Sequence, residues 1–279
     1  MYWARLHDTT SPPLIMGVLN VTPDSFSDGG QYADVSRALM HAETMAAEGA
    51  DIIDIGAESS RPGAAAVEDS EQLRRLGPVI EALRDSLPAH CGISIDTRSP
   101  DVADHMLAAG ATLVNDISGA RDSRMIEVVA TRKAGVVLMH MQGTPETMQV
   151  KPSYSDVVAE VVNYLAERAA FVLQSGVQRD RILLDPGIGF GKTKAHNLAL
   201  LAALPRLVAI GYPVLLGTSR KRFMGSICRE TAFAGLVGAT CATTALGVAA
   251  GVRVFRVHDV KANRQALEVA WAIGHAPEV

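Results

Sequence analysis

Arg181-Ile-Leu-Leu-Asp-Pro-Gly-Ile-Gly-Phe-Gly-Lys192 holds the repeating unit of this chain in miniature. An apolar run ends on a carboxylate, a Gly-rich loop follows, and Asn197–Val208 then carries helical periodicity. The run does not alternate with polar residues, so both of its faces are buried, as for a parallel strand lying under helices. Outward from this segment the same unit recurs. Short apolar runs occupy Leu14–Val21, Asp51–Ile55, Gly92–Ile95, Thr112–Val114, Val136–Met139, Arg181–Leu184, Pro213–Leu216 and Val252–Val257. Helical candidates between and after them are Val35–Glu48, Ser70–Leu87, Pro100–Ala108, Ser123–Lys133, Ser155–Gln174, Asn197–Val208, Phe233–Ala249 and Lys261–Ile273. Eight consecutive β/α units predict a single α/β domain over residues 1–279, an eight-stranded (β/α)8 TIM barrel. A doubly wound open sheet fits less well, because such sheets usually have fewer strands and the first β/α loop lacks G-x-G-x-x-G.

Bulk properties narrow the function. The chain has 279 residues, 48% of them apolar, and a net charge of -4. With a pI near 6.1 it lacks the excess of Lys and Arg that nucleic acid or an anionic membrane surface would select, so neither is expected as a partner. Cys91, Cys228 and Cys241 are scattered, without metal or redox spacing, and read as reduced structural thiols. The N-terminal MYWARLHDTTSPP has no apolar core of a signal peptide, so a cytoplasmic location is expected. Ala232–Val252 carries no charge over a length that can span a bilayer. Its Ala, Gly and Thr content favours a helix packed on the barrel or at a subunit interface instead.

Polar residues close the apolar runs: Asn20, Asp54 to Glu58, Asp96, Asn115, His140, Asp185, Ser219 to Lys221, and His258. In a barrel all eight ends meet at one rim and form one polar pocket. Asp185–Thr193 looks like a phosphate loop, but Pro186 stands where a Walker A needs its first Gly. A Gly-rich loop there still lets a flat ligand approach the backbone and stack on Phe190. Asp96 and Asp185 end buried strands, where a carboxylate needs a partner. Either a buried Arg or Lys supplies it, or a ligand such as a 2-amino-4-oxo heterocycle, whose adjacent N–H groups suit a carboxylate. Ser219-Arg-Lys-Arg222 and Arg256-Val-His258 place cations after the last two strands, where barrels often bind phosphate, although Lys221 also suits a Schiff base. Asn20 is an oxygen ligand suited to Mg²⁺ with diphosphate, or a turn former, and its loop to Gly30 can close over substrate. Arg61, next to Pro62 and Gly63, either reaches inward to an anion or lies in an exposed turn.

Met16-Gly-Val-Leu-Asn-Val-Thr-Pro-Asp-Ser-Phe-Ser-Asp-Gly-Gly30 and Glu58-Ser-Ser-Arg-Pro-Gly63 resemble the two signatures of the dihydropteroate synthases. The likeness runs on through Ser94-Ile-Asp96-Thr, Asn115-Asp-Ile, Leu138-Met-His-Met-Gln-Gly143, Asp185–Lys192, Ser219-Arg-Lys221 and Arg256-Val-His-Asp259. The resemblance implies a homodimeric, Mg²⁺-dependent, sulfonamide-targeted barrel of folate synthesis. Its reaction joins 6-hydroxymethyl-7,8-dihydropterin diphosphate to 4-aminobenzoate, with diphosphate leaving first. By position it implies that Asp96, Asn115, Asp185 and Lys221 hold the pterin, with Met139 and Gly217 also lining the substrate site. Asn20 would ligate the metal, and Arg256 and His258 the diphosphate. Ser60, Arg61, Phe190, Ser219 and Arg220 would surround aminobenzoate, with Phe26 and Asp28 on the closing loop. Lys221, Asp96, Asp185, Arg256 and His258 would form the catalytic set. Ala57 stands where the family often has Gly, and Ser60 where it has Thr. The segment after Arg229 lacks the acidic-Arg pair often found there, which predicts an effect on packing or the dimer contact. Pterin-dependent corrinoid methyltransferases and a non-catalytic pterin-binding paralogue are the other readings. The intact first loop and the two cationic segments favour the synthase.

Overall fold

The eight apolar runs form eight strands: β1 Leu14–Asn20, β2 Ile52–Gly56, β3 Gly92–Asp96, β4 Leu113–Asp116, β5 Gly135–Met139, β6 Ile182–Asp185, β7 Leu215–Leu216 and β8 Val254–Val257. The computed structural model describes residues 2–21, 30–58 and 66–276. All strand pairs are parallel, in the order β6-β5-β4-β3-β2-β1-β8-β7, and a single parallel bridge between Leu184 and Val214 brings β6 against the start of β7. The barrel is therefore nearly closed, as eight apolar parallel strands require when helices cover their outer faces.

The described helices are α1 Tyr2–His7, α2 Gly30–Ala47, α3 Asp69–Ser86, α4 Pro100–Ala109, α5 Ser123–Arg132, α6 Val157–Gln174, α7 Lys194–Ala202, α8 Leu204–Val208, α9 Arg222–Cys228, α10 Val237–Ala249 and α11 Val260–Gly274. Five of these depart from the reading of the sequence. The single helix expected over Asn197–Val208 is two. Thr193 caps α7 through a capping box with His196, and Pro205, which lacks an N–H, sits in the first turn of α8. The expected helix from Phe233 begins with a 3-10 turn over Phe233–Leu236 before α10. The short α1 and α9 were not foreseen, because six or seven residues carry too few helical repeats to show a period.

Helix α1 shuts the N-terminal mouth of the barrel. Tyr2, Trp3 and Leu6 pack on the lower interior layer formed by Leu14, Met16, Ile52, Leu113, Val137, Leu183, Leu215 and Val254. Glycine is required where the strands meet this plug: an added Cβ would lie 2.1 Å from Tyr2 at Gly92 and 2.0 Å from Trp3 at Gly135. Buried Arg253 ties the plug down by donating to the carbonyls of Arg5, Leu6, Asp8 and Ser11.

The uncharged Ala232–Val252 stretch is packed on the barrel, with Thr240, Thr244 and Gly247 buried and Gly247 pressed against Phe255. Together with α9 it bends by 81°, and no single described helix is long and apolar enough to cross a membrane.

Candidate active site

In a barrel strand every second side chain points inward. Counting by twos from the apolar lower layer reaches Asn20 on β1, Asp54 on β2, Ser94 and Asp96 on β3, and Asn115 on β4. The same count gives Met139 on β5, Asp185 on β6, Gly217 after β7, and Arg256 and His258 on or just after β8. One parity thus builds a dry floor at one end and a polar pocket at the other.

The centre of the pocket is Asp54, which was read only as part of a strand-end segment. It lies inside β2 and is 0% exposed. Its carboxylate accepts from Ser94 Oγ at 2.6 Å, Asn115 Nδ2 at 3.0 Å and Arg256 Nε at 2.6 Å. Arg256 Nη2 reaches Asp96 Oδ2 at 2.8 Å. Of the two partners left open for Asp96, the barrel supplies the cation. Two of the five guanidinium donors of Arg256 are therefore held by Asp54 and Asp96, and the rest have no side-chain partner among the described residues. Burial pushes the Asp96 carboxyl up, opposed by Arg256 and helped by the charge of Asp54.

Asp185, at the end of β6, accepts from Gly187 N at 2.6 Å through Oδ1. Burial raises its pKa, while Gly187 N–H, Lys221, Lys192 and Arg256 act against that rise. Lys221 Nζ stands 4.3 Å from the centre of the Phe190 ring. Desolvation and neighbouring Arg256 lower its ammonium to about 8, partly offset by Asp185 and Asp96. Phe190 in turn packs on a small apolar cluster of Ile117, Met139, Met141 and Met148.

In the cationic segments part of the charge is paired within the protein. The Arg220 guanidinium is held by both oxygens of Asp259, at 2.6 and 3.0 Å, while its backbone adopts a left-handed conformation with φ 57°. Ser219 Oγ lies 3.0 Å from His258 Nδ1 and accepts from His258 N at 3.1 Å. Desolvation, with Arg256 and Arg220 adding to it, lowers His258 to about 4, so without a bound anion the imidazole is neutral near neutral pH.

The glycines after β6 fit closely against the segment that follows β5. Added Cβ atoms at Gly187 and Gly191 would come within 2.0 Å of His140 O and 2.5 Å of Gln142 O. Both residues have positive φ, 65° and 60°. The close approach they permit is to the end of β5.

Asn20 ends β1 opposite Gly56 in the register with β2. Ala57 is fully buried and its carbonyl accepts from Arg75, while residues 59–65 of the loop that follows lie outside the described residues. Phe26, Asp28, Ser60 and Arg61 lie outside the described residues. Among the described residues no three His, Cys, Asp or Glu side chains come together as a metal site. Besides Asp54, the sequence reading overlooked Asp259 and Lys192. The two-residue period running through Ile52 and Asp54 was the signal for the first.

The model of the pterin binding enzyme family matches residues 16–258. The dihydropteroate synthase of Synechocystis sp. is 44% identical over 269 residues, covering 96% of this chain and 92% of that protein. Among solved structures, Xanthomonas albilineans dihydropteroate synthase with 4-aminobenzoic acid superposes with a TM-score of 0.89 at 44% identity, covering 96% of this chain and 95% of that one. The Yersinia pestis dihydropteroate synthase with a sulfonamide drug has a TM-score of 0.89 at 39% identity, with 96% of each chain covered.

Proposed function

The chain belongs to the dihydropteroate synthases, transferases of folate biosynthesis within the pterin binding enzymes, and we propose how its own residues divide the work of joining pterin diphosphate to 4-aminobenzoate. The observation that carries this reading is Asp185: a buried strand-end carboxylate with one oxygen fixed by Gly187 N, beside Lys221. Such a group suits the paired N–H donors of a 2-amino-4-oxo pterin. Asn115 and Asp96 take further edges of the heterocycle, and Met139 and Gly217 line the space it occupies.

Diphosphate is met by the uncommitted donors of Arg256 and by the N–H of His258. Asn20, inward-facing at the end of β1, has the hard amide oxygen that suits Mg²⁺, an ion that takes few protein ligands and keeps waters. When bound, that ion would neutralise diphosphate charge. The carbon–oxygen bond to diphosphate breaks first, leaving a methylene cation conjugated with the pterin. The carboxylates of Asp96 and Asp185 stabilise this charge. The amine of 4-aminobenzoate, stacked near Phe190, then attacks the methylene and gives up its proton to the departing diphosphate. Ser60, Arg61, Phe26 and Asp28 complete the pocket around the aromatic acid. Arg220 contributes through its left-handed turn, which presents Ser219 and Lys221, since Asp259 holds its guanidinium. Sulfonamides compete for the aminobenzoate space, in keeping with the drug-bound Yersinia pestis relative.

A homodimer and a cytoplasmic setting complete the reading. The outer face of α10 and α11 exposes Leu246, Val269 and Ile273 at 69%, 61% and 72%, an apolar patch that a second copy would cover. Leu246→Glu should shift the sedimenting species to monomer.

The deciding assay is diphosphate release from 6-hydroxymethyl-7,8-dihydropterin diphosphate with Mg²⁺, with and without 4-aminobenzoate, with the product weighed by mass spectrometry. Dihydropteroate formed by the wild type and abolished in Asp185→Ala establishes the reading. Pterin binding without turnover would transfer the chain to the methyltransferase-like or non-catalytic relatives.

A further inference from the structure

The Gly-rich loop ends in a lysine that gives it the look of a phosphate loop, yet that lysine is buried against the protein's own groups. Lys192 is 3% exposed. Its Nζ contacts His140 Nδ1 at 3.0 Å, His140 O at 3.2 Å and Phe190 O at 2.9 Å. Burial lowers the Lys192 ammonium to about 7, partly offset by Asp185; in that charged form it has three donors and no acceptor, and these three contacts saturate it. Desolvation, with the Lys192 charge adding to it, holds His140 down at about 3, so its ring is neutral and can offer Nδ1 as the acceptor.

The contacts join the end of β5 to the turn that carries Phe190. The backbone on either side of that turn is held by other groups: Asn197 Oδ1 accepts from Gly189 N at 2.7 Å, Gln149 donates to Gly189 O at 2.9 Å, and Tyr154 to Gly191 O at 2.7 Å. Only Lys192, among the described residues, grips the carbonyl of Phe190 itself. On the other side of the turn, the Phe190 ring lies 4.3 Å from Lys221 Nζ and against the methionine cluster. A neutral residue of the same length could fill the space. It could not satisfy three oxygen and nitrogen acceptors in a dry interior, where each one left unpaired is costly.

We propose that Lys192 is a positioning residue for the aromatic-acid subsite, setting the height of the Phe190 ring by clamping the Phe190 carbonyl to the end of β5. Lys192 touches no substrate and acts through Phe190. The inference rests on the synthase reading, and its test separates the two.

The test compares steady-state kinetics of wild type, Lys192→Met, Phe190→Ala and the double variant, with folding of each checked by thermal melting. Lys192→Met should raise KM for 4-aminobenzoate about tenfold, the size of one charge-assisted hydrogen bond lost from a positioned group. KM for the pterin diphosphate and kcat should each move by less than about threefold. In the Phe190→Ala background the same substitution should add little, because both changes act on one contact. Lys192→Arg, which keeps charge and donors, should recover part of the loss. Unchanged kinetics in Lys192→Met overturn the proposal, as does a loss that is fully additive with Phe190→Ala. A defect confined to pterin affinity also overturns it, assigning Lys192 to the charge balance of Asp185 instead. A wild type without turnover would sink the synthase reading itself. In that event Lys192→Met should still weaken 4-aminobenzoate binding in calorimetry, and no change there would overturn the positioning role independently.

Discussion

The two mouths of the barrel are built from the same strands by the same alternation, and they are opposite in character. At the N-terminal mouth the inward positions are apolar and close on Tyr2, Trp3 and Leu6. The buried cation there, Arg253, is satisfied for good by backbone carbonyls. At the C-terminal mouth the inward positions carry Asp54, Asp96, Asp185 and Arg256, with Lys221 and Lys192 beside them. There charge is balanced against charge, and part of the donor and acceptor capacity has no partner among the described residues. Burial without unmet charge stabilises, whereas buried ions roughly break even or cost stability. The comparison separates where this fold gets its stability from where it does its chemistry.

The largest effect that sharpens the contrast is at the rim. Lys221→Met should lower kcat/KM on the order of 10³-fold, the scale of a lost electrostatic contact in a preorganised site. Its thermal midpoint should move by less than about 4 °C, which differential scanning calorimetry would read. An unfolded variant would show that rim charges also hold the barrel together.

At the opposite mouth, Trp3→Ala should cost about 3–5 kcal/mol in urea unfolding, since it empties the plug. In the protein that remains folded, kcat/KM should stay within about threefold of wild type, as expected for a distant independent site. A large kinetic loss would break the division between the mouths. Gly135→Ala is a smaller test of the same seat, where a Cβ would stand 2.0 Å from Trp3. Overpacking should destabilise by about 1–3 kcal/mol, and the penalty should shrink when Trp3 is already Ala.

A further effect is graded in pH. His140 and His258 are depressed to about 3 and about 4, chiefly by burial, so both are neutral in the folded protein near neutrality. Below their ordinary value of 6.5 the unfolded chain takes up protons that the folded protein does not. Stability should therefore fall as pH drops from 6.5 toward 4, by on the order of 1 kcal/mol per pH unit for each group. Urea midpoints that stay flat across this window would mean that the rim histidines are already protonated.

Much of this was legible beforehand. The apolar runs located every strand within a residue or two, because burial on both faces leaves an unbroken hydrophobic signature. The strand-end residues Asp96, Asn115, Asp185 and His258 were legible because a polar side chain closing such a run is conspicuous. Asp54 was less so: it sits within the run, and only the alternation of Ile52 and Asp54 against the partner strands shows which way it faces. The break in Asn197–Val208 could have been read from Pro205, whereas α1 and α9 were too short to have a period.

Local pattern by itself therefore determined the β/α repeat, the number of strands and the rim to which the polar residues belong, since these depend on side-chain period and hydrophobicity alone. Pairing across the barrel was decided only in three dimensions. Arg256 is shared by Asp54 and Asp96, Arg220 is held by Asp259, and Lys192 grips the carbonyl of Phe190. The first two pairings join residues 160 or more and 39 positions apart, and whether each charge is spent on the protein or kept for a ligand depends on distances that closure of the barrel sets.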